Sequence, residues 1–216
     1  MGEIDTEAIL RTIYGERMML HHDLYEASED HREDHGEWCA VYPNLPQDAP
    51  LWPFLTAVLG ARRFLEVGCG LGYTTALMAE AGGPESQVDT VESNGIHAEL
   101  AESELARRGL ADRVNVLHGQ AHDILPSLSE PYDVVFVDSD WQELPDWIEH
   151  FARLTREGGL LVSGNVYALF EEWAAGEGYQ ERIQEYLEKL VGDDRFQTYI
   201  IPDTWLALSY RVQAPL

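Results

Sequence analysis

The 216-residue sequence is poor in cysteine and contains no long apolar segment. Its two cysteines, Cys39 and Cys69, are too few for the disulfide framework of a small secreted domain, and we interpret both as small buried residues. No CxxC or Cys/His spacing typical of a zinc site is present. No apolar run approaches the roughly 20 residues that a membrane-spanning helix needs. These absences predict a protein with neither a disulfide scaffold nor a membrane segment.

Basic residues are also scarce. The formal net charge is −25, from 14 basic and 39 acidic residues, and Lys189 is the only lysine. Because this charge repels phosphate backbones, we expect no nucleic-acid partner. A saline habitat, a hot habitat and genome composition all remain open as explanations of the acidity. The N-terminal stretch MGEIDTEAIL is acidic where a signal peptide is basic, so we expect a cytoplasmic protein.

The pattern of apolar residues changes near residue 60. Residues 5–34 have helical spacing and predict one or two helices that end near Gly36. The segment VYPNLPQDAPLWPF then holds four prolines and leads into a short predicted helix at Trp52–Leu59. We therefore predict an N-terminal helical extension or lid over residues 1–60 and a second domain over residues 61–216.

From Ala61 onward, short β-rich runs alternate with amphipathic segments, as is typical of a parallel sheet with helices on both faces. The predicted strands are RFLEV, QVDTVE, RVNVLH, YDVVFVD and GLLVSG, and the predicted helices cover residues 73–81, 94–108, 124–128, 144–155 and 168–191. Two last strands, FQTYIIP and TWLALSYRV, meet at a Pro202–Asp203 turn and predict an antiparallel hairpin at one sheet edge. The predicted fold is α/β: a doubly wound, mostly parallel seven-stranded sheet with a C-terminal antiparallel hairpin, plus N-terminal helices.

Three glycines, Gly68, Gly70 and Gly72, follow the first predicted strand. A tight turn alone would explain them, so their spacing and the flanking acids decide the interpretation. The spacing is G-x-G-x-G, unlike the G-x-G-x-x-G of nicotinamide dinucleotide sites. Glu66, at the end of the strand, favours a cationic amino group and opposes a pyrophosphate. Glu92 ends the next strand, where an acid accepts hydrogen bonds from ribose hydroxyls, so the pattern indicates a nucleoside that carries an amino-acid-like group.

Four stretches within residues 61–212 resemble class I methyltransferases that depend on S-adenosylmethionine (SAM): LEVGCGLGYTT, TVESNGIHAELAESELARRGLADRVNVLHGQAHDILPSL, PYDVVFVDSD and REGGLLVSGN. The resemblance is strongest to the small catechol and caffeoyl-CoA O-methyltransferases. It implies SAM as the cofactor and these cofactor-binding residues: Glu66, Gly68, Gly70, Thr74, Glu92, Ser93, Ala121, His122 and Asp138. In this assignment Glu92 binds the ribose, Ala121 and His122 border the adenine, and Asp138 lies beside the methionine end. A solvated position at a helix start is the alternative for His122.

The resemblance also implies a divalent metal site, from which this sequence departs. Metal-dependent members of the family use an Asp after the fourth strand, an Asp-Asn pair after the fifth, and a nearby lysine as base. Asp138 and Asn165 match two of the ligands, whereas Gly164 replaces the second Asp and Trp141 the lysine. We therefore expect a degraded site without a tightly bound metal, in which Asp138 and Asn165 are ligands only if a metal is retained.

Catalysis without that lysine requires another base. We predict Asp138 and Asp140 as the catalytic residues, and the alternatives are His122, His21 and His22, for each of which a solvated position is also an explanation. His31 and His35, one helical turn apart, could bind a metal or form a solvated face. An aromatic cluster on the acceptor side indicates an apolar or aromatic acceptor, with core packing as the alternative; its members are Trp141, Tyr167, Phe170, Trp173 and Trp205.

The predicted function is SAM-dependent O-methyl transfer to a small-molecule acceptor. The alternative is a non-catalytic protein that binds SAM or S-adenosylhomocysteine (SAH) and has lost the base. A nicotinamide oxidoreductase is a third hypothesis, which the glycine spacing disfavours. The resemblance further implies a homodimer, although the sequence identifies no interface.

Overall fold

A computed structural model describes residues 5–36, 39–139, 141–164, 166–170, 178–202 and 204–213, except for the side chains of residues 167 and 168. The chain forms two compact units. The first comprises residues 1–62 and 69–118, and the second comprises residues 63–68 and 119–216. The predicted boundary between residues 60 and 61 stays a prediction.

Seven strands form one sheet in the order β3-β2-β1-β4-β5-β7-β6. Their bounds are β1 (Arg63–Val67), β2 (Gln87–Glu92), β3 (Val114–His118), β4 (Tyr132–Val137), β5 (Thr155–Ser163), β6 (Phe196–Ile200) and β7 (Ala207–Arg211). The pairs β2/β3, β1/β4 and β4/β5 are parallel, whereas β7 is antiparallel to both β5 and β6. The predicted mostly parallel sheet with a C-terminal antiparallel hairpin is therefore confirmed, although Asp203 of the predicted turn lies outside the described residues.

In the first unit the α-helices are α1 (Thr6–Tyr14), α2 (His22–His35), α3 (Leu51–Leu59), α4 (Tyr73–Gly82) and α5 (Gly95–Arg107). Residues 73–79 of α4 are all buried, so this helix follows the glycine loop directly into the core of the unit. Leu24 of α2 and Leu105 of α5 are also buried. The predicted N-terminal helices and the short helix at 51–59 are confirmed. None of the helices in the described ranges has the length and apolar character that a membrane crossing requires.

In the second unit the α-helices are α6 (Ala121–Ile124), α7 (Ile148–Leu154) and α8 (Tyr179–Val191). The central strands β1 and β4 are buried along residues 64–67 and 134–137. A strand covered on both faces forms a nearly continuous apolar run, as residues 134–137 do, and the buried Glu66 is the one charged residue within 64–67. Phe64 pairs with Val134 and Val67 with Val137, so the carboxyl ends of both strands reach the same edge.

Three predicted helices differ from the structure. The helix expected over residues 124–128 is α6 (Ala121–Ile124) followed by a 3-10 turn at Leu125–Ser127. The helix expected over residues 168–191 is described only in part, because residues 171–177 lie outside the described residues. Val166–Phe170 forms a 3-10 turn, and α8 begins at Tyr179 after Gly178, whose left-handed φ of 82° does not continue an α-helix. The helix expected over 144–155 is a 3-10 turn at Leu144–Asp146 followed by α7. In these last two cases the α-helix starts later than apolar spacing alone predicts.

Candidate functional site

Gly68, the first residue after β1, has a φ of 102°. A Cβ at this position would overlap with the carbonyl oxygen of Asp138. The N–H of Asp138 donates to the carbonyl of Val67 at 2.9 Å, which extends the pairing of β1 and β4 by one residue. Close approach of the two strand ends therefore requires glycine at position 68, independently of any ligand.

The other two glycines of the loop lie in the first unit and differ in their surroundings. At Gly72 (φ 90°) a Cβ would lie 3.3 Å from Leu105 Cδ1, so packing against α5 restricts this position. At Gly70 (φ 55°) a Cβ would meet, among the described residues, Val41 Cγ1 alone, at an ordinary contact of 3.6 Å. Gly70 is thus required for its backbone conformation and not for packing, and its N–H is directed at Glu92.

The Glu92 carboxylate, at the end of β2, is buried with 7% of its surface exposed. Its Oε2 accepts the N–H of Gly70 at 2.8 Å, and its Oε1 accepts the N–H of Asn94 at 2.9 Å. Two backbone donors thus hold one carboxylate, and the glycine loop is fixed to the end of β2. Because each carboxylate oxygen has two acceptor positions, Glu92 can accept further hydrogen bonds from a ligand.

Thr74 and Ser93 occupy different environments within the same unit. Thr74 is buried in the first turn of α4, and its Oγ1 accepts a hydrogen bond from Asn44 Nδ2 at 3.0 Å. Asn44 was not predicted as a site residue, because it lies in the proline-rich segment, where no local pattern marks it. Ser93 is exposed between β2 and Asn94, whose side chain caps α5 through the N–H of Ile96 at 2.9 Å.

In the second unit, Glu66 and Asp138 belong to adjacent strand ends. Glu66 is completely buried in β1, opposite Phe136 of β4. Asp138 is half-buried directly after β4. Its carboxylate lies against Gly164, where a Cβ would be 3.2 Å from Asp138 Oδ1. The space that a side chain at position 164 would need is therefore partly taken by the Asp138 carboxylate.

Ala121 and His122 begin α6 in the second unit. Ala121 is buried, whereas the side chain of His122 is about half exposed. The His122 ring lies between two acids, with Nδ1 3.3 Å from Glu143 Oε2 and Nε2 3.5 Å from Asp123 Oδ2. This exposure is compatible both with a solvated position of His122 at the helix start and with a contact to the adenine.

The alternative histidine bases have other neighbours in the first unit. His21 Nδ1 lies 3.3 Å from Arg108 Nη1, and burial, followed by the charge of Arg108, lowers the pKa of His21. His22 stacks on Tyr25 with ring centroids 5.6 Å apart, and its Nε2 lies 3.7 Å from Glu26. These contacts account for both residues without a catalytic role.

Some predicted residues can be placed only in part. Asp140, Asn165 and Trp173 lie outside the described residues, as does the side chain of Tyr167. Trp141 packs on Tyr179 of α8 with ring centroids 3.9 Å apart, and Trp205 meets Phe136 edge to face at 6.2 Å. Core packing thus explains Trp205, while Trp141 forms an aromatic pair beyond the end of β4.

A family model described as O-methyltransferase matches residues 42–204, well over half of the chain. The chain belongs to the O-methyltransferase family. A catechol O-methyltransferase of Mycobacterium tuberculosis is 40% identical over 131 residues, which cover 59% of this chain and 60% of that protein. A catechol O-methyltransferase of Niastella koreensis is 34% identical over 125 residues, covering 56% and 57%. The chain therefore spans less than two thirds of the length of these curated relatives.

Solved structures extend the similarity over more of the chain. The O-methyltransferase TomG from Streptomyces achromogenes, described as involved in tomaymycin synthesis and in complex with SAM, is 28% identical with a TM-score of 0.75. That comparison covers 88% of this chain and 89% of the TomG chain. This chain and TomG thus share their fold over most of the length of both chains.

Proposed function

We propose that this protein transfers a methyl group from SAM to an oxygen atom of a small molecule. The observation that carries the proposal is the buried Glu92 carboxylate, which the N–H groups of Gly70 and Asn94 hold beside the glycine loop. Membership of the O-methyltransferase family and the similarity to a SAM-complexed family member support the same activity. These findings favour an enzyme over a non-catalytic SAM-binding protein.

The proposed cofactor contacts combine the resemblance with the geometry of each unit. In the first unit, Glu92 would accept the ribose hydroxyls with the acceptor positions that the two backbone donors leave. In the second unit, the buried carboxylate of Glu66 favours a cationic group such as the SAM ammonium. The remaining proposed contacts are Gly68, Gly70, Thr74, Ser93, Ala121, His122 and Asp138.

The proposed chemistry is an in-line displacement. Bound SAM supplies an electrophilic methyl group, whose bond to sulfur breaks as the acceptor oxygen forms the new bond. Asp138 is the proposed catalytic residue: its carboxylate would accept the hydroxyl proton of the acceptor and orient the attacking oxygen. Because a carboxylate is a weak base toward a phenol, we expect the rate to rise with pH as the acceptor ionises. Asp140 is the second proposed catalytic residue.

The proposed reaction uses no tightly held divalent metal. Gly164 offers no side-chain ligand, and the Asp138 carboxylate lies 3.2 Å from where a Cβ at 164 would be. Of the three ligands expected from the family, the described residues thus retain one carboxylate, which fits a magnesium site poorly. Asn165 would add a ligand only if a metal is retained. Prolonged chelation should leave turnover within about twofold of the untreated rate, and a loss that Mg²⁺ restores would contradict this part of the proposal.

The proposed acceptor is a small, aromatic or apolar hydroxyl compound. The exposed ring of Phe170 and the Trp141–Tyr179 pair provide aromatic surface in the second unit beyond the ends of β4 and β5. Aromatic faces bind planar aromatic ligands by stacking. The similarity to proteins named catechol O-methyltransferase supports a catechol as the first compound to test.

The deciding experiment measures both cofactor binding and product formation. Calorimetry with SAM and SAH establishes binding, and mass spectrometry then follows methyl transfer to a catechol, a simple phenol and an aromatic amine. We expect binding of both cofactor forms and O-methylated product from a hydroxyl compound. Binding without product from any acceptor would support the non-catalytic alternative, and absence of SAM binding would refute both.

A further inference from the structure

Three potential metal ligands meet in the first unit, and none of them is a residue assigned to methyl transfer. His31 comes from α2, His97 from α5, and Cys39 from the segment after α2. Their ligand atoms all lie within 4.8 Å of one another. Cys39 Sγ is 4.0 Å from His97 Nε2, and the rings of His31 and His97 meet edge to face with centroids 5.2 Å apart. Cys39 and His97 are buried, and His31 is half-buried.

The separation of these atoms is close to that in a tetrahedral metal site. Zinc binds nitrogen at about 2.0–2.1 Å and thiolate sulfur at about 2.3 Å, so ligand atoms around it stand roughly 3.3–3.7 Å apart. The cluster needs a contraction of at most about 1.5 Å from its present spacing, which side-chain rotations provide. Two imidazoles and a thiolate suit zinc and not magnesium, which prefers oxygen ligands.

The orientation of His97 supports the same assignment. Glu92 Oε1 lies 3.9 Å from His97 Nδ1, too far for a direct hydrogen bond but close enough for its charge to favour a proton on Nδ1. The lone pair of His97 then resides on Nε2, the atom that faces Cys39. Metal-bound histidines commonly direct their second ring nitrogen at a carboxylate, which fixes the tautomer in this way.

We propose that His31, Cys39 and His97 bind a zinc ion, with water at the fourth position. The bound ion would join α2, α5 and the segment around Cys39 within the first unit. This site differs from the oxygen-ligand site of the family in its residues and in its preferred metal. A simpler arrangement, in which the Cys39 thiol donates a weak hydrogen bond to His97 Nε2, is the competing explanation of the same geometry.

Cobalt substitution distinguishes the two explanations, because a thiolate ligand gives Co²⁺ a charge-transfer absorption band in the near ultraviolet. The protein is treated with a chelator, the chelator is removed, and CoCl₂ and then ZnCl₂ are added. We expect one Co²⁺ per chain, the thiolate band, and its loss when Zn²⁺ displaces Co²⁺. No band, or a band that Mg²⁺ abolishes as readily as Zn²⁺, would overturn the proposal.

Variants assign the band to the cluster. Cys39→Ser should remove the band and weaken Zn²⁺ binding at least tenfold, whereas Cys69→Ser, at the second buried cysteine, should retain both. A band that survives in Cys39→Ser would overturn the proposal. If Cys39→Ser fails to fold, His31→Gln provides a second test, because His31 is only half-buried on α2. This variant keeps the thiol but should also weaken Zn²⁺ binding at least tenfold. Unchanged affinity in folded His31→Gln would equally contradict the site.

Discussion

The substitution Glu92→Gln perturbs the proposed ribose contact and the hydrogen bonds that hold it. The carboxylate now accepts the N–H of Gly70 at 2.8 Å and that of Asn94 at 2.9 Å. A glutamine keeps one acceptor oxygen but presents an NH₂ group to the other N–H, so one donor loses its partner. The neutral amide is also a weaker acceptor for the ribose hydroxyls. Because a hydrogen bond to a charged group contributes about 1.5–3 kcal/mol, we expect the affinity for SAM to fall by about ten- to a hundredfold.

Calorimetric titration with SAH measures this effect without turnover. The control is Glu99→Gln, because Glu99 is an exposed glutamate on α5, a few residues after Glu92. We expect the control to bind SAH with unchanged Kd, and the binding stoichiometry reports the folded fraction of each variant. An unchanged Kd in folded Glu92→Gln would refute the assignment of Glu92 as the ribose acid.

Three further predictions concern the stability of the fold and the family's metal site at Asp138 and Gly164. Gly68→Ala should lower the free energy of unfolding by at least about 2 kcal/mol in urea titrations. The reason is that a Cβ at this position, where φ is 102°, would overlap with the Asp138 carbonyl oxygen. A loss of less than about 0.5 kcal/mol would contradict that contact. Gly164→Asp places a second carboxylate beside Asp138, so Mg²⁺ should raise the Tm of this variant but not that of the unmodified protein. Equal responses of the two proteins to Mg²⁺ would contradict the hypothesis that the family's metal site is degraded here. Burial, with a nearby arginine, lowers the pKa values of His21 and His150 below 6.5. The unfolded chain therefore binds more protons, and the free energy of unfolding should fall as the pH drops from about 6.5 to about 5.5; no difference in urea unfolding between these pH values would count against the cause assigned to both shifts.

The sheet could be predicted from the sequence because its strands are apolar where both faces are covered. Residues 134–137 form such a run, residues 64–67 form one that only Glu66 interrupts, and both runs are buried as expected. The place of Glu92 beside the glycine loop was also predictable, since the acid and the loop follow consecutive strands of a parallel sheet. Local sequence patterns predict the strands and the place of Glu92, because each strand is one continuous segment of the chain.

Contacts between distant segments could not be predicted in the same way. Asn44 donates to Thr74, 30 positions later, and Cys39 approaches His97 across 58 positions. Neither pair has a local spacing that marks it, because its members meet only when helices and loops pack. The start of α8 was missed for a different reason: apolar spacing continued through Gly178, whose left-handed φ ends any helix.

Methyl transfer from SAM to an oxygen atom can be measured through the stoichiometry of a single reaction. The protein is incubated with SAM and a catechol after chelation, and mass spectrometry counts SAH and O-methylated product. We expect both to accumulate in equal amounts, and Glu92→Gln to slow their formation at subsaturating SAM. SAM binding with neither SAH nor methylated product, from catechol or any other hydroxyl compound, would refute O-methyl transfer.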